Sequence, residues 1–111
     1  MDEAEFLDLA DAELARLEQV LERTFDDADI DCDIEPQAGG ILQLTFENDS
    51  KIIINRHAAA REIWVAARAG GFHFKHAEGR WVGTRDGEEL YRALSRLVSQ
   101  QAGQPVVLGE A

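Results

Sequence analysis

The chain of 111 residues has one cysteine, two prolines and no long apolar segment. A single cysteine excludes an intramolecular disulfide and is typical of a reducing compartment, so we expect a cytoplasmic protein. The longest apolar run, Ile63 to Ala67, is far shorter than the roughly 20 residues of a membrane-spanning helix. The acidic N-terminus lacks the features of a signal peptide. Neither a P-loop nor a dinucleotide-binding glycine fingerprint is present.

Basic residues are scarce in the first third of the chain. The net charge is -11, and residues 1–35 contain 14 acidic residues but only two arginines. Such a surface repels nucleic acid and anionic membranes, and it favours cations or a basic protein partner. Solubility alone is an equally simple explanation. The hydrophobic content of 45% is enough to predict a single domain over residues 1–111 with one core.

An amphipathic helix is predicted from about Glu3 to Phe25. Its apolar residues recur at intervals of three and four, as is typical of a helix that buries one face. They are Phe6, Ala10, Leu14, Leu17, Leu21 and Phe25. The opposite side carries an acidic stripe composed of Asp8, Asp11, Glu18, Glu22 and Asp26.

The segment from Asp29 to Glu35 alternates between carboxylates and apolar residues, which predicts a strand. Its acidic face would hold four carboxylates in a row, and their mutual repulsion would cost about 1–2 kcal/mol. Hard cations prefer such oxygen ligands, and Fe²⁺ would be held weakly because it lies low in the affinity order of divalent metals. On the inner face, Cys32 is expected to be an inert buried thiol rather than a nucleophile.

The rest of the chain predicts five further short strands and a second helix. The strands are Ile41–Phe46, Lys51–Asn55, Glu62–Arg68, Phe72–His76 and one short strand around Trp81 and Val82. A three-residue loop after Phe46 pairs Leu44 with Ile52 and so buries two isoleucines. Asp86 is predicted to cap the second helix, with Glu89 completing a capping box. Gly103 and Pro105 end it, and Val106–Leu108 would pack along the helices.

These elements predict an α+β fold, a two-layer sandwich in which two helices pack on one face of an antiparallel sheet of about six strands. The other sheet face would be open. Trp64 is expected there beside Asn55, either half-buried against its neighbours or as an aromatic anchor for a protein partner. His57 falls in a predicted link, and His73 and His76 face opposite ways, so we expect ordinary surface histidines.

Several segments resemble the frataxin family in its bacterial branch. The resemblance covers nearly the whole chain, and the segments that carry it are Phe46–Asn55, Ile63–Ala66, Gly70–Phe74, Asp29–Cys32 and Gln100–Gly103. The resemblance implies the frataxin-like sandwich and a non-catalytic, weakly iron-binding protein. It also implies that the protein regulates iron–sulfur cluster assembly by docking on the cysteine desulfurase. Iron, as Fe²⁺ or Fe³⁺, would be the bound metal, with no organic cofactor, in a monomer that iron could assemble into oligomers.

The resemblance also assigns residues. The acidic ridge of the family corresponds to Asp11, Glu18, Glu22, Asp27, Asp29, Asp31 and Asp33, which are the expected iron ligands. Docking on the desulfurase would use Glu18, Glu22, Asp31 and Asp33, while Asn55 and Trp64 would meet the scaffold protein or the same enzyme. Gln19 and Arg23 stand where relatives often have acids, and His57, Ala59 and Glu62 replace the usual glutamine, proline and glutamine.

Two other functions are consistent with the acidic surface. A ferroxidase or iron-storage protein would oxidise Fe²⁺ at paired carboxylates, although di-iron enzymes usually supply histidines from the same helices. An acidic decoy would mimic nucleic acid and compete with DNA for a basic protein.

Overall fold

The protein folds as two helices and six strands, in the order helix, six strands, helix. In a computed structural model, which describes residues 1–109, the elements are α1 Glu3–Ala28, β1 Cys32–Gln37, β2 Ile41–Phe46, β3 Lys51–His57, β4 Glu62–Ala67, β5 Gly70–Ala77, β6 Arg80–Gly83 and α2 Leu90–Ala102. The strands form one antiparallel sheet in the order β1-β2-β3-β4-β5-β6. Both helices pack on one face of this sheet, so the predicted fold class is confirmed.

Helix α1 has capped ends at both termini. The side chain of Asp2 accepts a hydrogen bond from the Glu5 N–H at 2.8 Å. At the other end Asp29 adopts a left-handed conformation with φ of 55°, and the Ile30 N–H donates to the Phe25 carbonyl at 2.9 Å. This arrangement is a typical helix C-terminus, and aspartate is one of the few residues that tolerate it. All six predicted apolar residues of the helix are buried.

The position of Asp29 changes the first strand. The predicted strand from Asp29 to Glu35 is wrong at both ends, because β1 begins at Cys32 and continues to Gln37. Helix α1 runs three residues further than predicted, and Asp29 caps its end. The extended conformation of β1 can begin only after this residue. The alternation itself is confirmed: Ile30, Cys32 and Ile34 pack against the core while the acids between them are exposed.

The β2–β3 hairpin has the predicted register. Leu44 pairs with Ile52 and Leu42 with Ile54, across a loop of three residues, Glu47–Asp49. Strand β3 continues two residues beyond Asn55, so the predicted link wrongly included Arg56 and His57. The Arg56 N–H donates to the Gly40 carbonyl at 3.0 Å, which keeps the strand paired to that point.

The last three strands follow the prediction with small shifts in their ends. Strand β4 stops at Ala67, one residue early, and β5 extends from Gly70 to Ala77 rather than from Phe72 to His76. Trp64 lies directly opposite His73 on β5 and opposite Asn55 on β3. These three side chains therefore share the open sheet face, which is the face that α1 and α2 do not cover.

The predicted cap of α2 is wrong. Glu89, not Asp86, precedes the helix, and its carboxylate accepts hydrogen bonds from the Tyr91 and Arg92 N–H groups. Asp86 instead accepts from the Glu88 N–H at 3.0 Å. The reason is sheet pairing: Gly83 N–H donates to the Glu88 carbonyl, and Val82 bridges to Glu89. The chain thus stays attached to β6 until the helix begins.

The core lies between the helices and the sheet, and the C-terminal tail closes it. Leu108 is 2% exposed, and its N–H donates to the Ser95 hydroxyl on α2 at 2.9 Å. The Val106 N–H donates to Ser99 in the same way. The prediction that the tail packs along the helices is confirmed. No helix within residues 1–109 combines the length and apolarity needed to cross a membrane.

Candidate functional site

We define the acidic ridge as the seven residues Asp11, Glu18, Glu22, Asp27, Asp29, Asp31 and Asp33, which lie on three consecutive parts of the chain. Helix α1 contributes four of them, the α1–β1 loop contributes Asp29 and Asp31, and β1 contributes Asp33. All are exposed except Glu18, which is partly buried. Because β1 is an edge strand and Asp33 faces away from the helices, the ridge includes a carboxylate on the open face at this edge of the sheet.

The predicted row of four carboxylates on one strand is not present. Only Asp33 and Glu35 lie within β1 and share its outward face, because Asp29 and Asp31 precede the strand. The repulsion calculated for four carboxylates at strand spacing therefore does not apply to Asp29 and Asp31. The charge is therefore spread over a helix, a loop and a strand.

Asp11 differs from the rest of the ridge because it has a basic partner. Its carboxylate forms an ion pair and a hydrogen bond with the guanidinium of Arg56 on β3. The Arg56 side chain therefore lies on the helix side of the sheet. Part of the Asp11 charge is compensated within the fold, which makes Asp11 the ridge residue least available to a cation.

A recess next to the α1–β1 loop brings a further acid to the ridge. Asp29 and Asp31 line it together with Glu47 from the β2–β3 turn. Sequence reasoning did not include Glu47. The pairing of β1 with β2 could have identified Glu47. Cys32 lies opposite Phe46, so the turn that follows Phe46 lies beside the start of β1.

The ridge offers cation ligands without a fixed coordination shell. Within the part of the chain that the structure describes, no three side chains of histidine, cysteine, aspartate or glutamate are grouped so as to hold a metal ion. Exposed carboxylates in this arrangement attract hard cations through charge and exchange them readily. Such a surface suits a loosely held metal cargo or a basic protein surface.

Cys32 is chemically quiet despite its place beside the ridge. Partial burial, followed by the negative charge of Asp33, raises the pKa of the thiol from 9.0 to about 12. The thiolate is the reactive form, so this thiol is a poor nucleophile and a poor metal ligand near neutral pH. The structure agrees with the structural role expected for it.

The open sheet face presents Trp64 in a defined orientation. Its indole N–H donates to Glu62 Oε1 at 2.8 Å, and the ring is half-buried. The Asn55 amide beside it donates to the Arg56 carbonyl at 3.1 Å. Trp64 is thus fixed by a hydrogen bond as well as by packing.

Two histidines enclose the Trp64 ring. His57 stacks on one side with ring centroids 3.7 Å apart and an interplanar angle of 13°, and His73 stacks on the other at 4.3 Å and 8°. Reading them as ordinary surface histidines missed this contact. The pairing of β4 with β5 places His73 beside Trp64. His57 could be recognised as the second stacking ring only once β3 was known to extend to it.

Comparison with known proteins gives one consistent result. A family model described as a frataxin-like domain matches residues 1–104. The chain is similar to the "Iron-sulfur cluster assembly protein CyaY" of Ralstonia nicotianae, with 56% identity covering 97% of this chain and 95% of the relative. The protein of the same name from Dechloromonas aromatica is 53% identical over 97% of this chain and 99% of the relative.

Solved structures agree with the sequence comparisons. Frataxin from Psychromonas ingrahamii superposes with a TM-score of 0.81 at 32% identity, covering 99% of this chain and 100% of that one. Trimeric frataxin from the yeast Saccharomyces cerevisiae, described as complexed with ferrous, superposes with a TM-score of 0.73 at 27% identity and covers 86% of each chain.

Proposed function

The chain belongs to the frataxin family, and from this premise we propose that it acts in iron–sulfur cluster assembly as a non-catalytic, iron-binding regulator. In this role it docks on the cysteine desulfurase through the acidic ridge. Relatives with about half of their residues identical carry the name of an iron–sulfur cluster assembly protein. The unpaired Cys32 is consistent with action in the cytoplasm.

The observation that carries the proposal is the concentration of exposed acids on α1, the α1–β1 loop and the edge strand β1. Within residues 1–109 Asp11 is the one ridge acid in an ion pair, and five of the other six are exposed. A basic surface on a partner would gain complementary charge along the full length of the ridge, which speeds association and fixes orientation. A solubility role alone would not need the charge to be concentrated along one edge.

Iron fits the ridge as a cargo rather than as a resident cofactor. The carboxylates of Glu22, Asp27, Asp29, Asp31 and Asp33 supply hard oxygen ligands, and no imidazole or thiolate competes for softer metals there. Weak binding follows from the dispersed geometry of these ligands. The ridge would then present the same carboxylates to iron and to the desulfurase, so the two would compete or act together there.

The open sheet face is a second contact in this proposal. Trp64 and Asn55 lie side by side on β4 and β3, with the indole held by Glu62. A half-buried aromatic ring that is already ordered loses little entropy when a partner covers it. We assign this face to the scaffold protein or to a second surface of the desulfurase.

Charge reversal on the ridge tests docking. Changing Glu18, Glu22, Asp31 and Asp33 to lysine should abolish measurable binding to purified desulfurase in isothermal titration calorimetry. A matched pair refines the result: Asp31→Lys with Asp33→Lys should weaken binding far more than Glu3→Lys with Glu78→Lys, which alters the net charge equally but away from the ridge. Undiminished affinity in the fourfold variant would contradict the docking proposal.

A further inference from the structure

The rings of His57, Trp64 and His73 form a continuous stack across three neighbouring strands, β3, β4 and β5. One oxygen holds the centre of this stack. Glu62 Oε1 accepts the Trp64 indole N–H at 2.8 Å and lies 3.5 Å from His73 Nδ1. A carboxylate oxygen that is shared between an indole and an imidazole is sensitive to the protonation state of the imidazole.

We propose that His57 and His73 are positioning residues for Trp64, and that protonation of His73 draws Glu62 away from the indole. Docking through the open sheet face then weakens as pH falls from 8 to 5. The docking part of this inference rests on the proposed function. The change within the stack is a property of the chain alone.

The geometry at His73 gives the direction of the effect. Histidine is the side chain that normally changes charge in this pH range, and both ring nitrogens of its charged form are donors. A proton on Nδ1 points toward Glu62 Oε1 and converts the contact into a charge-assisted hydrogen bond, which is stronger than the neutral bond from the indole. The indole N–H then shares its acceptor or loses it, and the ring is held less firmly.

His57 differs from His73 because its Nδ1 is already an acceptor. The Ala60 N–H donates to it at 3.2 Å, so the neutral ring carries its proton on Nε2. Protonation of Nδ1 would set two N–H groups against each other. The Ala60 N–H thus fixes the orientation of the His57 ring, which stacks on one side of the indole while His73 stacks on the other.

Acidic and basic side chains from neighbouring elements surround the stack. Glu62 on β4 lies opposite Lys75 on β5 and, on its other side, opposite His57 on β3. Arg85, Asp86 and Glu88 line a recess with His73 from the side of β6. Arg61, in the turn after His57, is held by a hydrogen bond from its guanidinium to the Ala58 carbonyl. A proton on His73 adds positive charge to the face that carries Trp64.

Indole signals in a nuclear magnetic resonance titration of the full chain test the change directly. Between pH 8 and pH 5 the Trp64 indole N–H signal should move, and His73→Gln should lose most of that movement. His76→Gln is the matched control, because His76 contacts the other tryptophan, Trp81, at 5.1 Å and not Trp64. A Trp64 signal that stays constant, or titrates equally in His73→Gln, overturns the inference. Unchanged amide spectra at pH 8 establish that the variants fold.

Binding measurements separate this inference from the proposed function. The wild-type chain should bind a complex of purified desulfurase and scaffold severalfold more weakly at pH 5.5 than at pH 8. In His73→Gln the affinities at the two pH values should differ much less. A moving Trp64 signal with pH-independent binding overturns the regulatory part. Absence of binding at every pH overturns the proposed function and leaves the stack titration standing.

Discussion

Gln101 is the single polar side chain buried in the described core, at 3% exposed. Its Nε2 donates to the Ser50 hydroxyl and to the Lys51 carbonyl, and its Oε1 accepts the Arg68 N–H at 3.0 Å. The Asn48 side chain donates to its backbone carbonyl at 2.8 Å. One residue thus joins the end of α2 to the β2–β3 and β4–β5 turns.

Replacement of this side chain should be costly. Gln101→Ala leaves the Arg68 N–H and two acceptors without their partner, and the free energy of unfolding in urea should fall by about 1–3 kcal/mol. Gln100→Ala, at the exposed neighbouring position, should change it by less than about 0.5 kcal/mol. Equal effects of the two substitutions would contradict a structural role for the buried amide.

Cys32 should react slowly in the native protein. Its thiol pKa of about 12, raised mainly by burial and secondly by Asp33, leaves little thiolate at pH 8, so alkylation by iodoacetamide should be at least about tenfold slower than in urea. Asp33→Asn should speed it slightly by removing a negative neighbour. A native rate equal to the unfolded rate would show that the thiol is not protected.

The same shift has a consequence for stability at high pH. The folded thiol keeps its proton above pH 9, where the unfolded thiol loses it, so the unfolded state binds fewer protons between about pH 9 and pH 12. Stability should therefore be unaffected by this group below pH 9 and should fall as pH rises through that range. Burial raises the pKa of Tyr91 as well, helped by its hydrogen bond to Glu13, and it acts in the same direction.

At the scale of elements, pairing patterns were predictable and boundaries between elements were not. The pairing of Leu44 with Ile52 followed from the need to bury the isoleucines. The same register turns Asn55 to the open face, where it lies opposite Trp64 on β4. The start of β1 depended on whether Asp29 would take a left-handed conformation, and the cap of α2 depended on pairing between Val82 and Glu89. Both are tertiary effects that local residue patterns do not contain.

Helix α1 carries charge that opposes its own stability. Acidic residues occupy its last turn, which contains no basic residue, although the C-terminus of a helix favours cations. Asp26→Asn should raise the free energy of unfolding by about 0.3–1 kcal/mol. Glu3→Gln, in the first turn, should lower it. The prediction fails if urea melts show Asp26→Asn to be destabilising.

Asp27 extends this argument to the candidate site. It belongs to the acidic ridge and lies in the same last turn, so Asp27→Asn should stabilise the fold while weakening cation or partner binding. A residue that costs stability where function needs its charge is typical of binding surfaces.

For the whole molecule, the net charge of -11 should make stability depend on salt. Raising the ionic strength from 0.01 to 1 M shortens the screening length from about 30 to about 3 Å, so the free energy of unfolding should rise by about 1–2 kcal/mol. Asp31→Asn with Asp33→Asn should reduce the salt dependence more than Glu3→Gln with Glu78→Gln. Equal salt dependence would mean that the repulsion is not concentrated on the ridge.

The overall architecture was within reach of the sequence because each strand pairs with its neighbour along the chain and the helices have clear apolar faces. The surroundings of the acidic ridge could not be predicted from the sequence. Glu47 lies beside Asp29 and Asp31 because of the hairpin, and Asp11 forms an ion pair with Arg56. The stack around Trp64 required the three-dimensional structure, because its three rings come from three strands and His57 joins it only where β3 continues beyond Asn55.

The acidic β1 edge also bears on self-association. An edge strand exposes unpaired backbone groups on which another chain can form a strand, and β1 is protected by Asp31, Asp33 and Glu35, with Pro36 lacking an N–H. Like charges on two approaching copies repel at this edge. A cation that neutralises them would remove that obstacle and let one sheet continue into the next. Metal loading and polymerisation would then be controlled by the same carboxylates.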